Sequence, residues 1–297
     1  MLRLSDCLLG LALIASMLGT AQAQTRVFSP RLGDRLGAPA LQAADYPQAA
    51  PVIEPSQPDA QAPQPSRSLG QRFLALLEGR TQIEGGYSFA CDRVDDAQAT
   101  QHVVPDLLVR YGLTDRLELR IGWPGFVSTH YGEPLADRSR DEVLDPNVGF
   151  LFDLWPQRGW LPQAAVLASV PITLRGNPFT MESLQPLTQA LYCWRLNDRL
   201  TLGGTTGAAL FRVDDDNFIQ FQQTASLDWS STERMATFVE WEMLADHGSD
   251  DDGAQHLLGL GVCFLLTEQL QLTWRAGVGL NDRAPDFVTG IYFAYRL

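Results

Sequence analysis

The feature that most constrains this chain is a short unit that recurs through its second half, a polar turn feeding an alternating strand. From Leu265 to Leu280 the residues read Leu-Leu-Thr-Glu-Gln-Leu-Gln-Leu-Thr-Trp-Arg-Ala-Gly-Val-Gly-Leu. Successive strand side chains point to opposite sides. Leu270, Leu272, Trp274, Ala276, Val278 and Leu280 therefore share one face, and Gln271, Thr273, Arg275, Gly277 and Gly279 share the other. Earlier copies open at Leu113-Thr114-Asp115-Arg116-Leu117, Leu196-Asn197-Asp198-Arg199-Leu200 and Ser231-Thr232-Glu233-Arg234-Met235. The starts at 196, 231 and 266 are 35 residues apart, room for two strands with a turn and a loop, and that period predicts an antiparallel meander.

Alternation leaves open which face meets water. A soluble barrel buries its apolar side, whereas a membrane barrel turns it to lipid and keeps a polar lumen. The two ends of the chain decide. Leu8 to Leu18 is apolar, follows Arg3 and precedes Ala21-Gln22-Ala23, so residues 1–23 read as a secretory signal peptide. It is too short to span a bilayer, which takes about 17 or more apolar residues. At the other end Phe287, Thr289, Ile291, Phe293, Tyr295 and Leu297 form an apolar and aromatic face. In a soluble protein that strand would invite strand addition; in a membrane barrel it faces lipid, as Trp229, Trp241, Trp274, Tyr192 and Trp194 also would.

Between the ends, residues 24–81 form a leader. Eight of the 18 prolines fall between Gln24 and Ser66 among Ala and Gln, a composition that cannot bury enough to order itself. Leu69, Phe73, Leu76 and Leu77 then stand at helical spacing, fitting a short helix under or inside the barrel mouth, or a transient amphipathic turn. Residues 82–297 should be an all-β, antiparallel, up-and-down transmembrane barrel of about 12 strands, the first over Gln82 to Cys91 and the last over Phe287 to Leu297. The turns near 114, 158, 197, 232 and 267 are short, and the opposite connections are longer and mostly acidic, including an expected long loop from Val127 to Asp145. Both termini then lie on the short-turn side, as in outer-membrane barrels with periplasmic turns.

The stretch Leu108-Val109-Arg110-Tyr111-Gly112-Leu113-Thr114-Asp115-Arg116-Leu117-Glu118-Leu119, with the strand–turn–strand from Val143 to Val170 ending near Pro171, resembles the outer-membrane transporters named after the meta-cleavage pathway of phenol degradation. The resemblance covers about Gln82 to Leu297. It implies a channel or transporter in the cell outer membrane for small, aromatic or hydrophobic solutes. It offers no catalytic set. Where such proteins often carry Pro-Thr-Gly after the fifth strand, this chain has Pro171-Ile172-Thr173.

On alternation, the inward positions include Glu84, Asp106, Glu118, Asp153, Asp228, Glu240 and Glu242, with Arg110, Arg120, Arg195, Arg275 and Arg296. A bare charge in a narrow lumen is costly, so these acids and arginines should pair or line water. They fit a selective eyelet or a salt-bridge network that fills the barrel. Strand number does not choose, since 12 lies between the filled barrels of about eight and the open ones of about sixteen to eighteen.

Several chemistries are excluded or unsupported. A net charge of −13 argues against nucleic acid, and outer-membrane lipid, the barrel-assembly machinery and a small solute are the expected partners. All 22 basic residues are Arg, which removes a Walker-type loop and a Schiff-base lysine. Cys91, Cys193 and Cys263 are too few and too scattered for a disulfide framework or a zinc site, and no cofactor or metal is expected. Asp214-Asp215-Asp216 and Asp246, Asp250, Asp251 and Asp252 read as solvated acidic loops. His247 and Ser249 have the spacing of a lipase pair but lie in such a loop, and His102, His130 and His256 stand alone in sequence, so no enzyme is expected.

Overall fold

The computed structural model describes residues 75–76, 78–94, 97–132, 137–172, 186–213, 216–248 and 253–297. The signal peptide and the Pro-rich leader lie outside the described residues, as do Asp214, Asp215 and Asp250 to Asp252. Of the segment given a helical spacing, Ala75 and Leu76 are irregular and Glu78–Gly79 form a turn. Gly79 has φ +76°, a left-handed conformation that glycine takes without strain, and there the chain swings into the first strand.

Fourteen strands follow: β1 (Thr81–Val94), β2 (Ala97–Thr114), β3 (Leu117–Trp123), β4 (Phe126–Gly132), β5 (Asp137–Val143), β6 (Asn147–Trp155), β7 (Gln163–Pro171), β8 (Leu187–Arg195), β9 (Leu200–Val213), β10 (Asp216–Ser230), β11 (Met235–His247), β12 (Gly253–Leu265), β13 (Leu270–Gly279) and β14 (Phe287–Arg296). Every neighbouring pair is antiparallel. Twelve of them close a ring, because β1 pairs with β14 on one side and with β2 on the other. In that register Gln82 sits between Arg296 and Arg110.

The recurring turn owes its repetition to one side chain. Thr114, Asn197, Thr232 and Thr267 each turn a side-chain oxygen back to accept the N–H two residues on, from Arg116, Arg199, Arg234 and Gln269. At three of these turns the same oxygen also accepts the N–H of the first strand residue, Leu117, Leu200 or Leu270, at 2.9–3.0 Å. A short polar side chain that can mimic a backbone carbonyl is what the tight turn requires, so Thr or Asn returns at each copy.

The expected loop from Val127 to Asp145 is instead a hairpin, β4–β5. β2 is 18 residues long. Its lower half, Leu107 to Thr114, pairs with β3, and Gln98 to Val103 would have β1 as a partner on one side alone had β4 not continued upward to meet the other. β3 and β4 form one interrupted strand, broken at Pro124-Gly125. Gly125 has φ +75°, and a Cβ there would strike the Pro105 carbonyl oxygen. β5 ends the sheet order and reads Asp-Arg-Ser-Arg-Asp-Glu-Val, a charge-dense composition that discourages edge pairing.

The burial pattern is inverted relative to a soluble protein. Val109, Ile121, Phe150, Leu210, Phe221, Val239, Leu260, Trp274 and Ile291 are exposed, while Arg110, Glu118, Asp106 and Gln271 are fully enclosed. Aromatic residues gather at the short-turn ends of the strands: Tyr111, Trp155, Trp160, Trp229, Phe264 and Tyr295 are exposed there, with Trp194 beside them. Trp155 and Trp194 donate their indole N–H to the carbonyls of Pro162 and Trp160 at 2.9 and 2.8 Å, an apolar ring with a polar tip suited to the edge of the hydrocarbon. A closed barrel with an apolar outer belt, an aromatic girdle and enclosed charge is an outer-membrane barrel.

Leu260→Arg, at the middle of the lipid face of β12, should cost about 2–4 kcal/mol in equilibrium unfolding from lipid vesicles, against about 0–1 kcal/mol for Leu266→Arg at a short turn. Equal costs would mean that the outer face is not lipid-facing. Gly125→Ala should lose about 1–3 kcal/mol in the same assay. Gly132→Ala, where an added Cβ meets only the Gln98 carbonyl oxygen at 3.6 Å, should not lose stability.

Candidate functional site: the lumen wall

Five strands carry the most tightly connected part of the wall: β1, β2, β3, β6 and β14. Arg110 is enclosed, with 1% of its side chain exposed, and it grips Glu118, which has none. Arg110 donates from Nε to Glu118 Oε1 at 2.8 Å and from Nη2 to Oε2 at 2.9 Å, a bidentate pair. Its Nη1 reaches Glu84 Oε1 at 3.2 Å, and Gln82 Nε2 donates to the same oxygen at 2.6 Å. Arg120 Nε adds a second guanidinium to Glu118 Oε1 at 2.7 Å. Arg296 closes the row, its Nε and Nη2 each 3.4 Å from Gln82 Oε1. A carboxylate taken this far from water is tolerable only when its lone pairs are filled, and those of Glu118 are.

Three further hydrogen bonds come from outside the barrel strands. Leu76 N–H donates to Glu118 Oε2 at 2.7 Å, and Ala75 N–H to both carboxylate oxygens of Asp153 at 3.1 and 3.3 Å. The end of the leader thus enters the lumen. The spacing of Leu69, Phe73, Leu76 and Leu77 pointed this segment to the barrel mouth, but the contacts are made by backbone donors of an irregular stretch, which side-chain spacing does not show.

A second charged group lies on β11 and β13. Arg275 Nη2 donates to Glu242 Oε1, and its Nη1 stands 4.0 Å from Glu240 Oε1. Glu240 and Glu242 are both enclosed, two residues apart on the inward face. Asp228, enclosed on β10, accepts Ser226 Oγ at 3.3 Å, and Asp106 is enclosed on β2. Arg195 has the inward parity of β8 but occupies its last residue, where it is exposed at the short-turn rim. Its backbone N–H and C=O are both held by the Gln157 side chain, at 2.7 and 3.2 Å.

Uncharged groups missing from the list of candidates fill the wall between these sites. Gln189 donates to Gln222 at 2.7 Å, Thr205 and Thr224 meet at 3.0 Å, and Gln220 donates to Asp246 at 2.8 Å. Their signal was present: Gln220, Gln222, Thr224 and Ser226 occupy the same alternating face as Asp228. The remaining wall is apolar, with Leu151, Ala165, Leu167, Leu191 and Cys193 packed together on β6, β7 and β8 and Ala75 lying against them. Alternation could not reveal this patch, because the outward residues Val148, Phe150, Phe152, Val166 and Ala168 are apolar as well.

The histidines are less isolated than their spacing suggested. Tyr87 Oη lies 2.8 Å from His102 Nδ1, and the rings of His102 and His130 meet edge to face at 6.2 Å. The cross-strand register of β2 and β4 makes this meeting. Ser128 Oγ donates to Asp141 Oδ1 at 2.6 Å and stands 3.4 Å from His130 Nε2. His256 stacks on Trp241, with centroids 5.7 Å apart. His247 is exposed, and Ser249 lies outside the described residues.

Comparison with known proteins agrees with this architecture. A crystal structure of an outer membrane channel from Pseudomonas putida F1 is similar at 14% identity and TM-score 0.60, covering 76% of this chain and 98% of that one. The translocator domain of the autotransporter NalP from Neisseria meningitidis is similar at 10% identity and TM-score 0.52, covering 74% and 88%. The β domain of the Bordetella autotransporter BrkA is similar at 8% identity and TM-score 0.51, covering 74% and 100%. At these identities the likeness shows the fold. No curated protein sequence matches the chain. Residues 64–297 match the model of the family described as MetA-pathway of phenol degradation, and the chain belongs to that family.

Proposed function

We propose that this barrel is a channel or transporter that passes small solutes across the outer membrane through a charged, constricted lumen with a preference for cations. The observation that carries the reading is the charge of the inward face. Glu84, Asp106, Glu118, Asp153, Asp228, Glu240 and Glu242 stand against Arg110, Arg120, Arg275 and Arg296, an acidic excess in a low-dielectric wall that focuses potential on the pore. The barrel-assembly machinery is the partner such a fold requires for insertion. Catalysis has no part in this reading, since the Ser128 proton is committed to Asp141 rather than to His130.

The family resemblance and the similar outer membrane channel from Pseudomonas putida F1 support transport in general. The complete enclosure of Arg110 and Glu118 favours one other reading, a barrel whose short-turn end is filled and does not conduct.

Single-channel recording of the refolded protein in planar bilayers, under a salt gradient, separates the two. Discrete steps with a reversal potential on the cation side are expected. Asp228→Asn, Glu240→Gln and Glu242→Gln together should abolish that preference, whereas Arg275→Gln, which strips the counter-charge from Glu240 and Glu242, should sharpen it. A protein that inserts fully and stays silent would overturn the channel and leave the filled barrel.

A further inference from the structure

A side-chain amide is a donor at one end and an acceptor at the other, and a buried one is satisfied only when both ends are used. Two amides on the inward face of β10 use one end each. Gln220 and Gln222 are both 5% exposed. Gln220 donates from Nε2 to Asp246 Oδ1 at 2.8 Å, and Gln222 accepts the Nε2–H of Gln189 on its Oε1 at 2.7 Å. Gln220 is thus left with its oxygen and Gln222 with its nitrogen. Among the described residues nothing pairs with either of those two atoms.

Their surroundings are small and apolar. Across the strands Gln220 lies level with Ala209 on β9 and, beyond it, Leu187 on β8; Gln222 lies level with Gly207 and Gln189, and on its other side faces Leu244. Leu187 and Ala209 pack together with Phe218, the inward residue before Gln220 on β10. A Cβ on Gly207 would stand 2.5 Å from Gln189 Cγ, so glycine there is what lets Gln189 cross β9 to reach Gln222. The two half-used amides start from Cβ atoms about 6.6 Å apart, two steps along one strand, within reach of a single oxygen bonded to both.

We propose that Gln220 and Gln222 form a subsite on the lumen wall for the hydroxyl group of a small neutral solute. The hydroxyl accepts the Gln222 Nε2–H and donates its proton to Gln220 Oε1, while the apolar body of the solute rests against Leu187, Phe218 and Leu244. A hydroxyl makes both bonds through one atom. An ether or ketone can only accept and an ammonium can only donate, so each leaves one buried amide atom unpaired, and a site built on such a pair discriminates against them. The subsite rests on the channel reading above for the route by which a solute arrives; its binding is measured without conduction.

The experiment is equilibrium binding to the full chain refolded in detergent micelles, read by saturation-transfer difference NMR, with cyclohexanol and methoxycyclohexane as probes. Both carry an oxygen acceptor on the same ring, and they differ in the hydroxyl proton. Cyclohexanol should bind about tenfold more tightly, the difference expected for one hydrogen bond to a buried acceptor. Gln220→Met removes that acceptor and should erase the preference. Gln222→Met removes the donor that both probes use, and should weaken both about tenfold while the preference stays. Partition into the micelle is common to all three proteins. Should these variants not fold, Gln220→Lys keeps a donor for Asp246 without the acceptor, and Gln222→Glu keeps an oxygen for Gln189 without the donor. Equal affinity of the parent for the two probes, or cyclohexanol binding unchanged in the variants, would overturn the subsite. A preference for cyclohexanol in a protein whose bilayers stay silent would support the subsite and overturn the channel. Conductance steps without that preference would overturn the subsite and leave the channel standing.

Discussion

Everything in this molecule depends on the rule that a backbone N–H or C=O in hydrocarbon must find its partner within the protein. An open sheet would leave two unpaired edges in lipid. β1 removes both by pairing with β14 and β2 at once, and the register from Gln82–Arg296 to Cys91–Phe287 pairs the whole of the last strand with the first. Once the ring is closed, side chains divide by parity alone. The outer set is mostly apolar, with Tyr192, Thr206 and Gln223 satisfying one another there, so ionised groups of the belt point inward, and the burial pattern of a soluble protein is reversed.

Charge gathered inside a narrow ring has to be neutralised locally, and here the chain does so by cross-strand register. Arg110 faces Gln82 on one neighbour and Arg120 on the other, and Glu118, two residues from Arg120, lies between the two guanidinium groups. Two like charges directly opposite would repel. A carboxylate that accepts from both turns that pair into a network, so the hydrogen bonds of Glu118 hold β2 and β3 together as well as neutralising it. The Arg275 group works more loosely, one guanidinium serving two carboxylates, and it leaves Glu240 less completely neutralised.

How much of this was legible in the sequence follows from the same parity rule. Where one face is polar and the other apolar, as in β10 and β13, alternation names the inward residues directly: Asp228 and Arg275 are where it put them, and on β11 Glu240 and Glu242 share the inward face with Ala236, Phe238 and Leu244. It failed where depth rather than parity mattered, so Arg195 came out at the rim. It failed again where the criterion was composition. Residues 126–143 look like a loop because they hold Gly, Pro and charge, yet the length of β2 demands a partner strand there. The histidines meet only because Tyr87, His102 and His130 lie on three strands brought together by register, which spacing along one strand cannot express.

The lumen's apolar patch shows most clearly why chain order and parity are not enough. In the middle of β6 and β7, at Leu151, Ala165 and Leu167, both faces are apolar, the outer one for lipid and the inner one for no reason that a water-filled barrel supplies. An isolated barrel of this sequence would set Leu151, Leu167 and Leu191 against solvent. The barrel therefore has a complete backbone ladder and an incomplete core, and the missing part comes from residues that precede the first strand. Ala75 is small enough to lie flat on the patch, and its own backbone is the donor that Asp153, at the edge of that patch, requires. The inward face of β6 thus meets Ala75 with both an apolar and an acidic element, Leu151 and Asp153, two residues apart. Ala75 and Leu76 are in this sense part of the barrel's folding unit, joined to it by contacts that run through their backbone.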